Sequence, residues 1–254
     1  MPGPNPYVHG ISVTDAAAMA AALQVIGFAP AGGAEWSGGP AIAIENASTG
    51  QRIELFEIPA GQAVPRPDSK PLEGETTIGV PVADPEAAVE AMRAASPGLD
   101  ISEATDAGKE NGLIVTVGGQ RFILTRRKEP FTVVHYSLEG WERALRFYEQ
   151  ALGMCFFPLP NRDGAVRTRI ENATGRVDLE GSPATKVPDP AVAGRYPGAN
   201  RFRVVYPKLS DAEMGIPATG LGEWVAQPEN GAAEVAGPAG ERIQLFDSRA
   251  GGNG

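Results

Sequence analysis

Apolar and polar residues alternate in short runs along most of this chain, and glycine and proline cut the runs apart. The first half contains PYVHGISV, AIAIEN, RIELFEI, TTIGVPVA, GLIVTV and RFILT; the second contains FTVVHYSL, AVRTRIEN, RVDLEG, RFRVVYP, GEWVAQ and RIQLF. Period-two alternation in segments of this length predicts strands with one buried face, joined by tight turns. Four stretches carry helical spacing instead. Residues 15–26 are alanine-rich with Asp15 placed to cap the first turn. Residues 84–95 open Asp-Pro-Glu, a capping residue followed by proline at the first helical position. Residues 141–152 put Trp141, Leu145, Tyr148 and Leu152 on one face, and a short fourth helix is expected around Leu209–Met214.

These elements repeat. IENASTGQRIELFEIPA (44–60) returns as IENATGRVDLEGSPA (170–184). VHGISVTDAAAMAAALQVIGF (8–28) returns as VHYSLEGWERALRFYEQALGM (134–154), with the histidine 18 residues before the post-helix glycine in both copies, His9 to Gly27 and His135 to Gly153. A shorter phrase, Arg-apolar-x-Leu, begins at Arg52, Arg121, Arg176 and Arg242, at intervals of 69, 55 and 66 residues. A repeat of this kind predicts a stacked modular architecture. Four βαβββ modules follow, at about 5–60, 70–128, 130–185 and 198–248, separated by the Pro/Gly-rich linkers PAGQAVPRPDSKPLEG and SPATKVPDPAVAGRYPG.

The phrases HGISVTD before a helix, WERALRFYEQALGM, and TGQRIELFE closing a module resemble the vicinal oxygen chelate superfamily, which includes glyoxalase I, extradiol ring-cleaving dioxygenases and bleomycin-resistance proteins. The resemblance spans the chain and implies an α+β fold: four modules paired into two domains, residues 1–128 and 129–254, with curved mixed sheets and helices on the outer face. It also implies one divalent metal (Fe, Mn, Zn, Ni or Mg) held by first-strand and last-strand residues of paired modules, or a metal-free member without it. The last-strand positions are Glu54, Ile123, Asp178 and Gln244. Aligned on the helices, the first-strand positions fall near Val8 and Val133, so a one-residue offset turns His9 toward the helix side and a two-residue offset keeps His135 on the cleft face. Module 2 offers Thr77 or Ile78.

Composition narrows the chemistry. The 254 residues include 42% hydrophobic and 21% charged positions, enough for a sizeable core, and the net charge of −9 disfavours nucleic acid and anionic membrane as partners. The acidity is uneven. Residues 1–127 hold 8 Lys+Arg against 15 Asp+Glu, and residues 128–254 hold 14 against 16. With two histidines and one cysteine, histidine-rich and cysteine-cluster metal centres are excluded, as is an internal disulfide; Cys155 reads as a buried, inert thiol. No apolar run is long enough for a membrane span, and a cytoplasmic monomer or homodimer is expected.

The second half supplies period-two arginines: Arg167, Arg169 and Glu171 on one strand face, Arg201 and Arg203 on another. Guanidinium groups lining a cleft bind carboxylate, phosphate or enolate oxygens bidentately. The expected site is therefore the cleft of modules 3 and 4. His135 is the general base or ligand, Asp178 the ligand or acid/base, and Arg169 and Arg203 stabilise negative charge. Arg167, Arg201, Gln244 and Glu54 contact the substrate. The metal set is His135, Asp178 and Gln244, with His9 and Glu54 as the alternative. The expected function is a lyase, isomerase or ring-cleaving enzyme acting on an oxygenated anionic small molecule. The rival is a metal-free binding protein that sequesters its ligand.

Overall fold

A computed structural model describes the chain except for residues 1–6, 34, 35, 37, 38, 67–69, 108–111, 172–175, 190, 192–194, 207, 208, 230 and 249–254. Each module has the expected order. The first runs β1 (Val8–Val13), α1 (Ala16–Gln24), β2 (Ala29–Pro30), β3 (Ile42–Asn46) and β4 (Gln51–Glu57). The second runs β5 (Thr76–Pro81), α2 (Pro85–Ala95), β6 (Thr105–Asp106), β7 (Gly112–Val117) and β8 (Gln120–Thr125). The third runs β9 (Phe131–Tyr136), α3 (Leu138–Arg146) with a terminal π turn (Phe147–Ala151), β10 (Cys155–Arg162), β11 (Ala165–Glu171) and β12 (Arg176–Gly181). The fourth runs β13 (Gly198–Tyr206), α4 (Leu209–Thr219), β14 (Glu223–Glu229), β15 (Ala232–Ala236) and β16 (Arg242–Asp247).

Local chemistry accounts for the helix starts. Asp15 accepts a hydrogen bond from the backbone N–H of Ala18, and Asp84 accepts from Glu86 and Ala87 with Pro85 following it. The third helix begins earlier than its apolar spacing predicts, because Ser137 caps it by accepting from Gly140. The fourth runs to Thr219, past the short segment expected, with Pro217 inside it. Ala212 and Ile216 bury against the core. Gly215 lets this helix approach the π turn so closely that a Cβ there would lie 2.3 Å from the Ala151 carbonyl oxygen. Asn46 holds its turn by accepting from the backbone and hydroxyl of Ser48; its repeat partner Asn172 lies outside the described residues. Cys155 is exposed, correcting the buried reading: it opens β10, the edge strand of its sheet.

The modules combine into two mixed eight-stranded sheets. One has the order β14-β15-β16-β13-β1-β4-β3-β2 and joins modules 1 and 4; the other has the order β10-β11-β12-β9-β5-β8-β7-β6 and joins modules 2 and 3. The first strands make the junctions, β1 antiparallel to β13 and β5 antiparallel to β9. Helices lie against the opposite side from the clefts, and there the grouping follows chain order. One apolar core unites modules 1 and 2 around Met19, Leu23, Val89, Met92 and Phe122; a second unites modules 3 and 4 around Tyr148, Leu152, Phe202, Ile216 and Leu245. The cleft expected between modules 3 and 4 is therefore replaced by two clefts, one on the 1/4 sheet and one on the 2/3 sheet, because the module edges that hydrogen-bond are not the ones consecutive in the chain.

Candidate active site

Three adjacent strands of the 2/3 sheet each present one polar residue on the face away from the helices: Thr77 on β5, His135 on β9 and Glu180 on β12. Alternation puts them there, since their neighbours Ile78, Val134 and Leu179 enter the helix-side cores. His135 Nε2 lies 2.7 Å from Thr77 Oγ1, and His135 Nδ1 lies 3.4 Å from Glu180 Oε1. Parallel pairing of β12 with β9 sets Glu180 directly opposite His135. Arg167 Nε approaches the other carboxylate oxygen of Glu180 at 3.4 Å. Burial pushes the Glu180 carboxyl up, but its hydrogen bond to His135 and the positive charges of His135, Arg167 and Arg121 outweigh that and hold it below the usual range. Thr77 Oγ1 is thus the partner of Nε2, and Glu180 is the nearest carboxylate to Nδ1.

These residues line a cavity of about 200 Å³. Arg121, Arg162 and Arg167 line it too, with Ile114, Ile123 and Val133 as its apolar wall. Burial pulls the Arg121 guanidinium's pKa down, against the attraction of Glu75 and Glu180. A negatively charged ligand would restore what burial takes away.

Of the predicted residues, His135 and Arg167 meet in this cavity. Asp178 and Arg169 share the sheet face but pair with each other, Nε to Oδ1 at 2.8 Å and Nη2 to Oδ2 at 3.3 Å. Glu54, Arg201, Arg203 and Gln244 belong to the 1/4 sheet. His135, Asp178 and Gln244 are thus not assembled as one set. His9 turns to the helix side, as its one-residue offset implies. It lies beside Ile53 and Phe202 and bonds Thr132 Oγ1 of the other sheet at 2.8 Å, and burial lowers its pKa from 6.5 to about 3. That position separates it from Glu54, so the alternative pair does not form either.

Glu180 is the member that sequence reasoning left without a role; Thr77 was named there as one of two first-strand positions of module 2. The signal for Glu180 was present. His135 sits two residues beyond Val133 on its strand, and the same step on the last strand leads from Asp178 to Glu180. Val133 faces Asp178 just as His135 faces Glu180.

The positions that hold a metal in the resembling family are filled differently here. On the 2/3 sheet Ile123 and Val133 pack with Phe131 and Ala107 into an apolar patch. On the 1/4 sheet Arg52 bonds Glu54 at 3.1 Å and Arg203 bonds Gln244 at 2.7 Å. Among the described residues no three His, Cys, Asp or Glu side chains converge as a metal group. Guanidinium groups already hold Glu54, Asp178 and Gln244, so this donor set does not fit a divalent cation.

No family model and no curated protein matches the sequence. Among solved structures, glyoxalase I from Zea mays is similar over 97% of this chain and 93% of that one, at 15% identity and a TM-score of 0.61. A variant of the same maize enzyme matches over 97% and 94%, at 15% identity and a TM-score of 0.59. The chain therefore shares the fold of that glyoxalase I over nearly its whole length. No described helix is long and apolar enough to cross a membrane.

Proposed function

We propose that this glyoxalase-fold chain is a small-molecule enzyme that holds an oxygenated anionic substrate in the 2/3 cleft and moves a proton with His135. One observation carries the reading: His135 is held between Thr77 and Glu180 on the wall of a cavity shared with Arg121, Arg162 and Arg167. The arginines bind the anionic group. As substrate enters, Thr77 yields Nε2, which takes a proton from the atom beside the substrate carbonyl. Glu180 keeps Nδ1–H oriented and stabilises the imidazolium that forms. Negative charge on the resulting enolate falls among the guanidiniums, which need no reorganisation to meet it. Returning the proton to a neighbouring atom gives isomerisation, and expelling a leaving group gives elimination. The step needs no metal, in keeping with the arginine-occupied carboxylates.

The test is hydrogen–deuterium exchange in D2O, followed by NMR across a panel of small 2-hydroxy and 2-oxo carboxylates. The wild-type chain should exchange the proton beside the carbonyl of a bound member, and His135→Gln should slow this roughly 100-fold or more while retaining binding. Exchange unchanged in His135→Gln overturns the reading. The apolar patch of Ile123, Val133 and Phe131 beside the cavity favours a second reading, ligand sequestration without turnover. Saturable binding with no exchange in the wild type would select it.

A further inference from the structure

The 1/4 cleft carries an arrangement that the proposed chemistry does not use. Across its centre, register aligns Glu54, Gly10, Arg201 and Arg242 in one row. Arg201 lies over the Phe56 ring, its guanidinium carbon 3.9 Å from the centroid. Gly10 makes that possible, since a Cβ there would stand 2.8 Å from Arg201 Cδ and 3.1 Å from the Phe56 ring. The surrounding guanidiniums are engaged: Arg52 by Glu54, Arg203 by Gln244, and Arg242 by Glu234. Arg201 differs. Among the described residues, its buried Nε and Nη1 have no hydrogen-bond partner.

A second orphan donor belongs to the same cleft. Trp36 is buried, its backbone N–H reaches Glu54 Oε2 at 3.3 Å, and its indole Nε1 has no partner among the described residues. Buried donors without acceptors are costly to leave unpaired, so Arg201 and Trp36 together favour an acceptor that arrives from outside. Ser12, Gln62, Arg195 and Arg201 line the adjoining cavity of about 460 Å³, with Phe56 and Ile58 as its apolar side. In this cavity Arg195 and Arg201 face one carboxylate, Glu57, a local excess of positive charge on a chain of net charge −9.

We propose that the 1/4 cleft is a second ligand site, separate from the His135 cavity, in which Arg201 binds the oxyanion of a small molecule carrying an apolar group. Nε and one Nη of a guanidinium match two oxygens of a carboxylate or phosphate in the guanidinium plane. The ring of Phe56 fixes that plane and receives the apolar part of the ligand. The surroundings of Arg201 also oppose its charge. Burial first and then the nearby Arg242 pull its pKa down, against Glu234 and Glu54. An arriving anion relieves both effects.

Isothermal titration of the full chain with benzoate and with inorganic phosphate, in low-salt buffer, tests this. Saturable binding of either probe should be lost in Arg201→Met and weakened roughly tenfold in Arg201→Lys, which keeps the charge but not the fork. It should persist in Arg167→Met, which removes a guanidinium that the 2/3 cavity uses for its anion and so separates the two sites. If Arg201→Met does not fold, Arg201→Lys carries the test. Absence of saturable wild-type binding, unchanged affinity in both Arg201 variants, or loss in Arg167→Met overturns the proposal. Binding here survives or fails independently of the exchange experiment on the other cleft.

Discussion

The two clefts share one plan and differ in what lies across it. In each, the first strand of the earlier module has a glycine opposite the last-strand position: Gly10 opposite Glu54, Gly79 opposite Ile123. In each, the antiparallel strand across the junction lays a large side chain over that glycine. In the 1/4 cleft the side chain is Arg201, stacked on Phe56 among paired charges. In the 2/3 cleft it is Phe131, packed with Ile123 and Val133. The same backbone geometry therefore yields a cationic floor in one cleft and an apolar floor in the other. The polar chemistry of the 2/3 cleft is displaced along the strands, by one pleat to Thr77 and by two to His135 and Glu180. The lesson is that repeat-related positions preserve geometry, while the side chain at one position decides the chemistry.

The two histidines extend the comparison. They lie on matching first strands and are similarly buried. A single step of register sends His9 into the space between the sheets, against Thr132, and leaves His135 on the wall of an open cavity. Their surroundings follow from the face, not from the residue type.

The largest expected effect lies at His9. Its folded pKa of about 3 is far below the unfolded value of 6.5, so the unfolded chain takes up a proton first as pH falls. Stability should be lost between pH 6.5 and 3, by about 5 kcal/mol in full. Urea unfolding at a series of pH values measures it. His9→Gln, which can still bond Thr132, should flatten this limb, and an unchanged limb would show that the burial of His9 is not what sets the acid response.

A smaller effect of opposite sign belongs to Glu241. It precedes Arg242 as Gln51 precedes Arg52 and Gln120 precedes Arg121. The two glutamines donate to the carbonyls of Gly79 and Thr76, whereas Glu241 accepts from the Tyr136 hydroxyl and the Ala239 N–H. Burial raises its pKa from 4.5 to about 7. The unfolded chain ionises first as pH rises, so stability should fall between pH 4.5 and 7, by about 3 kcal/mol. Glu241→Gln, which restores the repeat's amide, should remove that decline. Between pH 4.5 and 6.5 the Glu241 and His9 contributions oppose each other in the wild type.

The smallest effects test the glycines themselves. Gly79→Ala would place a Cβ 2.4 Å from the Phe131 ring, which is packed and cannot withdraw, and should cost about 1–3 kcal/mol by thermal unfolding. Gly10→Ala would place a Cβ 2.8 Å from Arg201 Cδ and 2.9 Å from Arg201 Cβ, less close than the clash at Gly79, and should cost less, about 1–2 kcal/mol. Equal losses would mean that the two floors are equally rigid, against the contrast drawn above.

Much of this was legible in the chain. Strand faces followed from alternation: Ile170, Phe202 and Val204 enter the helix-side core, as their positions opposite the arginines of β11 and β13 predict. Asp15 and Asp84 announced their helices because capping is a contact between near neighbours. The fourth helix was less legible. It was expected only around Leu209–Met214, and the contact that accompanies its run through Gly215 and Pro217 is made with a distant π turn. Cys155 was misread because an edge strand and a buried one can share the same local composition.

The sequence by itself determined the four modules, their element order, and which residues share a strand face, because these depend on periods of two and 3.6 residues and on local capping. Tertiary structure alone decided that module 1 joins module 4 and module 2 joins module 3, since every module edge offers the same backbone donors and acceptors and alternation does not name a partner. That choice sent Arg203 and Gln244 away from His135 and put Thr77 beside it, next to the Glu180 of its own module.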